Sequence, residues 1–94
     1  MKLRWSRQAR QDLNDIDAYI AADKPAVARK IIAGIRAAVE HLKKHPHMGR
    51  AGRVSGTREL IDAPFVIVYV VAGDTVHIVA VFHGSKQWPP ERPE

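Results

Sequence analysis

A continuous run of β-branched and aromatic residues, Phe65 to Val71, constrains the fold of this chain most strongly. The run reads FVIVYVV, and these residue types favour the extended backbone of a β-strand. No polar residue alternates with the apolar ones, so both faces of the strand need to be covered. The sequence therefore predicts a central strand inside a sheet that is packed on both sides.

Turn residues on both sides of this run predict two antiparallel neighbours. Asp62-Ala63-Pro64 and Ala72-Gly73-Asp74 predict tight turns to strands at Thr57–Ile61 and Thr75–His83. In the last strand one set of residues, Val76, Ile78, Ala80 and Phe82, alternates with Thr75, His77, Val79, Val81 and His83, which predicts that the first set shares one face. The same alternation in Lys2 to Trp5 predicts a further short strand at the start of the chain.

Two amphipathic helices separate this first strand from the others. Ser6 is a suitable N-cap for the first helix, and Pro25 predicts its end near Asp23-Lys24 and the start of a second helix that reaches about Lys44. The apolar stripe of the first helix is Ala9, Leu13, Ile16 and Ile20, and that of the second is Ala28, Ile31, Ile35, Ala38 and Leu42. The opposite side of the first helix carries Asp12, Asp15 and Asp17, which are predicted to be solvated.

The order of these elements defines the expected fold class. His45-Pro46 ends the second helix, and three glycines make Pro46–Gly56 a loop. The order is then β-α-α-β-β-β, an α+β fold in which a helical hairpin packs on one face of a small, mainly antiparallel sheet. With 94 residues there is room for one domain, predicted at 1–88, followed by a Pro-rich tail at 89–94.

Composition excludes several classes of site. The chain has no cysteine, so it can form no disulfide, no zinc–thiolate site and no cysteine nucleophile. It has neither the apolar segment of a signal peptide nor that of a membrane span, which predicts a soluble protein of the cytoplasm with no membrane partner. A domain this small is marginally stable alone, so a stabilising partner is expected.

The net charge of +5 is concentrated between His41 and Arg58, where no Asp or Glu occurs. The basic residues of this segment are Lys43, Lys44, Arg50, Arg53 and Arg58. Such a segment favours an anionic partner, either a phosphate backbone or acidic side chains of a protein. A solvated loop that keeps the protein soluble is the alternative.

Candidate catalytic residues are few. His41 and His45 have the spacing of two zinc ligands on a helix but lack a nearby third ligand, and no phosphate-binding glycine motif occurs, so neither a metal nor another cofactor is expected. RNA cleavage by an attacking 2′-hydroxyl could instead use cations and a general acid and base, with these candidates: Arg50, Arg53, Arg58, His83 and Lys86. His83 could equally be a strand-end histidine bonded to a neighbour. Trp88 could stack on a base, contact a partner or seal the sheet.

Short motifs along nearly the whole chain resemble the RelE/ParE superfamily of type II toxin–antitoxin toxins. The matching pieces are Trp5-Ser6 with Ala9-x-x-Asp12-Leu13-x-x-Ile16-x-x-Tyr19-Ile20, Pro25-x-x-Ala28, His45-Pro46-x-x-Gly49-Arg50, Gly56-Thr57-Arg58-Glu59-Leu60, Tyr69-Val70-Val71, and Val79-x-Val81-x-His83-Gly84 with Trp88-Pro89. Each piece alone is weak, but they occur together in the order of the superfamily. The resemblance implies the same fold as the hydrophobic pattern predicts.

The resemblance also implies a growth-inhibiting toxin that is held in a hetero-oligomer by a small, acidic ParD- or RelB-like antitoxin. RelE-like members cut mRNA on the ribosome without a metal, whereas ParE-like members bind DNA gyrase and block replication. RelE-like nucleases tend to carry an arginine in the central strand, where this chain has only apolar residues from Phe65 to Tyr69. A ParE-like gyrase inhibitor is therefore expected, with Arg50, Arg53, Arg58, Lys86 and Trp88 as candidate target-binding residues; an mRNA endonuclease and a purely binding homologue stay open as alternatives.

Overall fold

A computed structural model describes residues 1–90 and shows two helices on one face of a five-stranded sheet. The elements are β1 (Lys2–Trp5), α1 (Arg7–Ala21), α2 (Pro25–His41), β2 (Arg50–Ala51), β3 (Arg58–Asp62), β4 (Phe65–Ala72) and β5 (Thr75–His83). The predicted α+β class and the helical hairpin on one face are confirmed. Residues 91–94 of the predicted tail lie outside the described part of the chain.

The strands lie side by side in the order β1-β5-β4-β3-β2. The pairs β3–β4 and β4–β5 are antiparallel, which confirms the predicted meander with β4 at its centre. β1 joins it at one edge, parallel to β5. At the other edge the predicted Pro46–Gly56 loop contains the short strand β2, because Arg50 and Ala51 pair with Glu59 and Arg58.

Both helices end earlier than predicted, α1 at Ala21 and α2 at His41. Ser6 is the N-cap of α1, since its Oγ accepts a hydrogen bond from the Ala9 N–H at 3.0 Å. After Ala21 the N–H groups of Asp23 and Lys24 both donate to the Ile20 carbonyl, so the chain turns before Pro25 begins α2. Neither helix is long and apolar enough to span a bilayer within residues 1–90.

The face of the sheet toward the helices, called the inner face, carries the main core. Ile67 and Tyr69 of β4 lie there with Ile35 of α2 and Leu13 of α1. Tyr69 is fully buried, and its hydroxyl donates to the Pro46 carbonyl at 2.8 Å and accepts from the Gly49 N–H at 2.9 Å. The core thereby holds the segment that follows α2 close to the sheet.

The opposite face of the sheet, called the outer face, carries a second apolar cluster. It consists of Val66, Val68, Ala80 and Phe82, against which Val79 and Trp88 pack. The pairing of β4 with β5 shifts at Val68/Tyr69, where Val68 is opposite Ala80 and Tyr69 is opposite Ile78. Val79 is thus an extra residue in β5. The prediction that Val76, Ile78, Ala80 and Phe82 share one face was wrong, because this bulge sends the last two to the outer face.

Candidate functional site on the outer face of the sheet

A buried carboxylate, Glu59 of β3, organises the outer face. It is 2% exposed and lies on the outer face, because it is paired with Val68 of the outer apolar cluster. Arg50 donates to it at 3.0 Å, and Arg53 donates from Nε at 2.9 Å, from Nη2 at 3.2 Å and from its backbone N–H at 3.0 Å. Glu59 therefore ties β2 and the loop after it to β3.

The arginines also decide the charge of this carboxyl group. Burial by itself would raise the pKa of Glu59, but the hydrogen bonds from the backbone and side chain of Arg53 and from Arg50 lower it to about 2. Glu59 is therefore ionised at neutral pH and compensates part of the positive charge of the two arginines. Their side chains remain 60% and 38% exposed for Arg50 and Arg53, respectively.

An aromatic stack continues from Arg53 across the outer face. The Arg53 guanidinium carbon lies 5.4 Å from the centre of the Phe82 ring. Trp88 stacks on Phe82 with 5.7 Å between ring centres and an angle of 8° between the planes. We call this set of side chains the outer-face cluster: Arg50, Arg53, Glu59, Phe82 and Trp88. Of the three roles considered for Trp88, sealing the sheet is the one that these contacts provide.

Arg58 lies on the other side of the sheet from Arg50 and Arg53. It pairs with Tyr69, whose side chain belongs to the inner core. Its guanidinium donates to the Gly49 carbonyl at 2.9 Å and, at 3.4 Å, to the His47 carbonyl. Arg58 thus supports the backbone of the loop that leads into β2.

His83 and Lys86 lie in a third place, along a groove of about 660 Å³ between α1 and the end of β5. His83 accepts a hydrogen bond on Nδ1 from the Ser85 backbone N–H at 3.1 Å, and its ring meets Phe65 edge-on. The groove also contains Tyr19, whose exposed fraction is 86%.

The structure therefore brings together Arg50, Arg53 and Trp88, and Arg58 lies on the inner side. His83 and Lys86 line the groove beside α1, which Phe82 of the cluster also borders. Sequence reasoning missed the two residues that hold the cluster together, Glu59 and Phe82. A signal for Glu59 was present, since it is the first acidic residue after Glu40 and directly follows the basic segment. Phe82 had none, because its face depends on the bulge in β5.

The segment between α2 and β2 contains two histidines, His45 and His47. Within residues 1–90, no group of three or more His, Asp or Glu side chains is placed to hold a metal ion. His45 and His47 instead line a shallow surface hollow with Pro46 and Met48.

Comparison with known proteins agrees with this architecture. Residues 3–88 match the family model for the ParE toxin of the type II toxin–antitoxin system, parDE. The Sinorhizobium fredii protein Y4kP is 41% identical over 90 residues, which cover 94% of this chain and 93% of that protein. Toxin RelE2 of Caulobacter vibrioides is 30% identical over 82 residues, 87% of this chain and 93% of that protein.

A solved structure is similar over the same region. A chain of the chromosomal ParDE TA system from P. aeruginosa superposes with a TM-score of 0.80 at 28% identity, covering 88% of this chain and 95% of that chain. The family match spans both the helical hairpin and every strand of the sheet, including the outer-face cluster. On these grounds the chain belongs to the ParE toxin family of type II toxin–antitoxin systems.

Proposed function

We propose that this toxin inhibits growth by binding DNA gyrase and blocking replication, and that the outer-face cluster contacts the target. The observation that best supports the proposal is that Arg50 and Arg53 share one buried carboxylate, that of Glu59. A rigid surface of arginine and tryptophan has the composition of a protein-binding hot spot. It presents part of each guanidinium and the Trp88 ring in a fixed arrangement.

The distribution of cations supports binding over RNA cleavage. Cleavage needs a general base, a general acid and charge stabilisation around one phosphate. Arg50 and Arg53 are engaged with Glu59 on the outer face, whereas Arg58 is bound to backbone carbonyls on the inner side. His83 lies beside α1 with Lys86. The five candidate residues thus occupy three places.

A ribosome-dependent mRNA endonuclease is the second candidate function. The similarity to Toxin RelE2 of Caulobacter vibrioides favours it. In that case the catalytic residues would come from Arg50, Arg53, Arg58, His83 and Lys86, without a metal ion. Both candidate targets are cytoplasmic, so we place the toxin in the cytoplasm.

We also propose that a small acidic antitoxin neutralises the toxin in a hetero-oligomer. The similar chain of the P. aeruginosa ParDE system supports such a partner. The groove beside α1 offers a partly apolar surface for such a partner, since the exposed ring of Tyr19 lies there with Ile16 and Ile20. Its charged lining is mixed, with Asp12 and Asp15 on one side and Lys86 on the other.

Two assays on one preparation test the proposed target. We expect the purified toxin to inhibit supercoiling by gyrase and to leave mRNA on translating ribosomes intact. Arg50→Gln should weaken inhibition about tenfold or more, because Arg53 alone keeps Glu59 paired and the fold is retained. Arg29→Gln removes an equal charge from an exposed position of α2 and should change inhibition by less than about twofold.

Three outcomes would contradict the proposed function. No effect on supercoiling at a large molar excess of toxin over gyrase would reject the gyrase proposal. Ribosome-dependent cleavage of mRNA by the same preparation would support the second candidate instead. Equal loss of inhibition in both variants would show that net charge, and not the outer-face cluster, governs the interaction.

A further inference from the structure

A cleft of about 450 Å³ lies at the opposite end of the sheet from β2, between the edge strand β1 and the helical hairpin. β1 contributes Leu3, Arg4 and Trp5, α1 contributes Arg10, Leu13 and Asn14, and α2 contributes Arg36. The three residues of α1 have the spacing of one helical face. The tertiary fold therefore gathers three arginines that are far apart in the sequence.

These arginines differ from those of the outer-face cluster in having no acidic partner among the described residues. Within residues 1–90, the carboxylates that form ion pairs do so with Lys2, Lys43, Arg50 and Arg53, and none pairs with Arg4, Arg10 or Arg36. No acidic residue of the described part of the chain lines the cleft. The sequence pattern gave no sign of this site, since the net charge outside residues 41–58 is zero.

Arg36 is held in place by an aromatic contact. Its guanidinium carbon lies 5.9 Å from the centre of the Trp5 ring. Such a contact orients the planar group without neutralising it, so its N–H donors stay available to a ligand. Leu3 and Leu13 add apolar walls, and Asn14 adds an amide that can donate and accept hydrogen bonds.

We propose that this cleft binds a terminal phosphate group, either as the free anion or at the end of a small monoester. Arg4, Arg10 and Arg36 would donate to the phosphate oxygens, and the organic part of an ester would lie against Leu3, Leu13 and Asn14. The site is separate from the outer-face cluster, so the proposal does not depend on the target of the toxin.

Charge and size favour phosphate over a single carboxylate. A phosphate monoester carries close to two negative charges at neutral pH and three acceptor oxygens, and the planar forks of arginine match its geometry. One carboxylate of an acidic peptide would leave two of the three guanidinium groups uncompensated. The volume of the cleft also lies in the range of small-molecule sites.

The test uses the full-length chain, titrated with inorganic phosphate, adenosine monophosphate, adenosine and polyglutamate. Binding is measured by calorimetry and located by NMR from the Trp5 indole and the arginine side-chain signals. We expect saturable binding of phosphate, adenosine monophosphate or both, with the largest shifts at Trp5 and Arg36. Tighter binding of adenosine monophosphate would identify the ester as the better ligand, and equal affinity would identify the phosphate group alone.

Matched variants separate a site from general charge attraction. Arg36→Gln should weaken phosphate binding about tenfold or more, because a charge-assisted donor is lost. Arg29→Gln, on the exposed surface of the same helix and outside the cleft, should weaken it by less than about twofold. Arg10→Gln provides a second test if Arg36→Gln lowers the thermal stability enough to prevent the titration.

Four outcomes would overturn the proposal. These are absence of saturable binding, shifts confined to residues outside the cleft, equal binding of adenosine and adenosine monophosphate, and equal losses in Arg36→Gln and Arg29→Gln. Binding of polyglutamate without binding of either phosphate ligand would assign the cleft to an acidic protein segment instead.

Discussion

Asp12 and Val81 are joined by a hydrogen bond of 3.0 Å from the Val81 backbone N–H to the Asp12 carboxylate. The bond lies at the edge of β5 just beyond the last pair with β1, which is Trp5 with Ile78. Ser6 lies beside it and donates from Oγ to the Val79 carbonyl at 3.0 Å. Side chains at the start of α1 thus bind the strand edge that β1 is too short to cover.

Replacing Asp12 by alanine should lower the free energy of unfolding by about 1–3 kcal/mol, because the half-buried Val81 N–H loses its partner. Asp15→Ala is the matched control, since Asp15 accepts a bond only from the exposed Gln11 among the described contacts and should change stability by less than about 0.5 kcal/mol. Urea denaturation measures both values, and hydrogen exchange at the Val81 amide should accelerate in the first variant. Equal stability of the two variants would contradict this role of Asp12.

Glu59→Gln should destabilise the protein by about 2–3 kcal/mol at neutral pH. Glutamine keeps the shape of the side chain but removes the charge that Arg50 and Arg53 share. Glu40→Gln is the control, because Glu40 forms an exposed pair with Lys43 and such pairs contribute less than about 1 kcal/mol. Denaturant titration measures the free energy of unfolding of both variants. An equally small decrease in both would contradict this expectation.

The contribution of Glu59 should also depend on pH. The pKa of Glu59 is about 2 in the folded protein and 4.5 when the carboxyl group makes none of these interactions, as in the unfolded chain. The unfolded chain therefore binds the proton more readily. The stabilisation is therefore complete above pH 4.5 and is lost as the pH falls toward 2, by at most about 3 kcal/mol. As the pH falls across this range, the difference in free energy of unfolding between wild type and Glu59→Gln should shrink. A constant difference would contradict the assigned pKa.

Trp88→Ala should lower the melting temperature, because it removes the ring that stacks on Phe82 and uncovers the outer apolar cluster. A partly buried aromatic ring of this kind contributes about 1–3 kcal/mol. Trp88→Phe keeps a stacked ring and should retain most of that stability. Thermal unfolding followed by circular dichroism compares the two, and an unchanged melting temperature in Trp88→Ala would show that Trp88 does not seal the sheet.

Local patterns were sufficient for most of the fold. The apolar run at Phe65–Val71, the turns beside it and the two helical stripes depend on neighbouring residues, so they predicted the helical hairpin and the meander. The short strand β2 was missed because two residues carry no periodicity, and it exists through pairing with Glu59 and Arg58. The bulge at Val79 was missed because Val79 and Val81 are as apolar as the residues that alternate with them.

By itself, then, the sequence determined the class of fold, its superfamily and the concentration of net charge between His41 and Arg58. The tertiary structure decided which contacts the individual charged side chains make. It paired Arg50 and Arg53 with Glu59, turned Arg58 toward the inner face, bound Asp12 to the edge of β5 and left Arg4, Arg10 and Arg36 together without an acid among the described residues. The physical reason is that hydrophobic periodicity repeats over a few residues, whereas an ion pair forms between side chains that only the packing of helices and strands brings within a few ångströms.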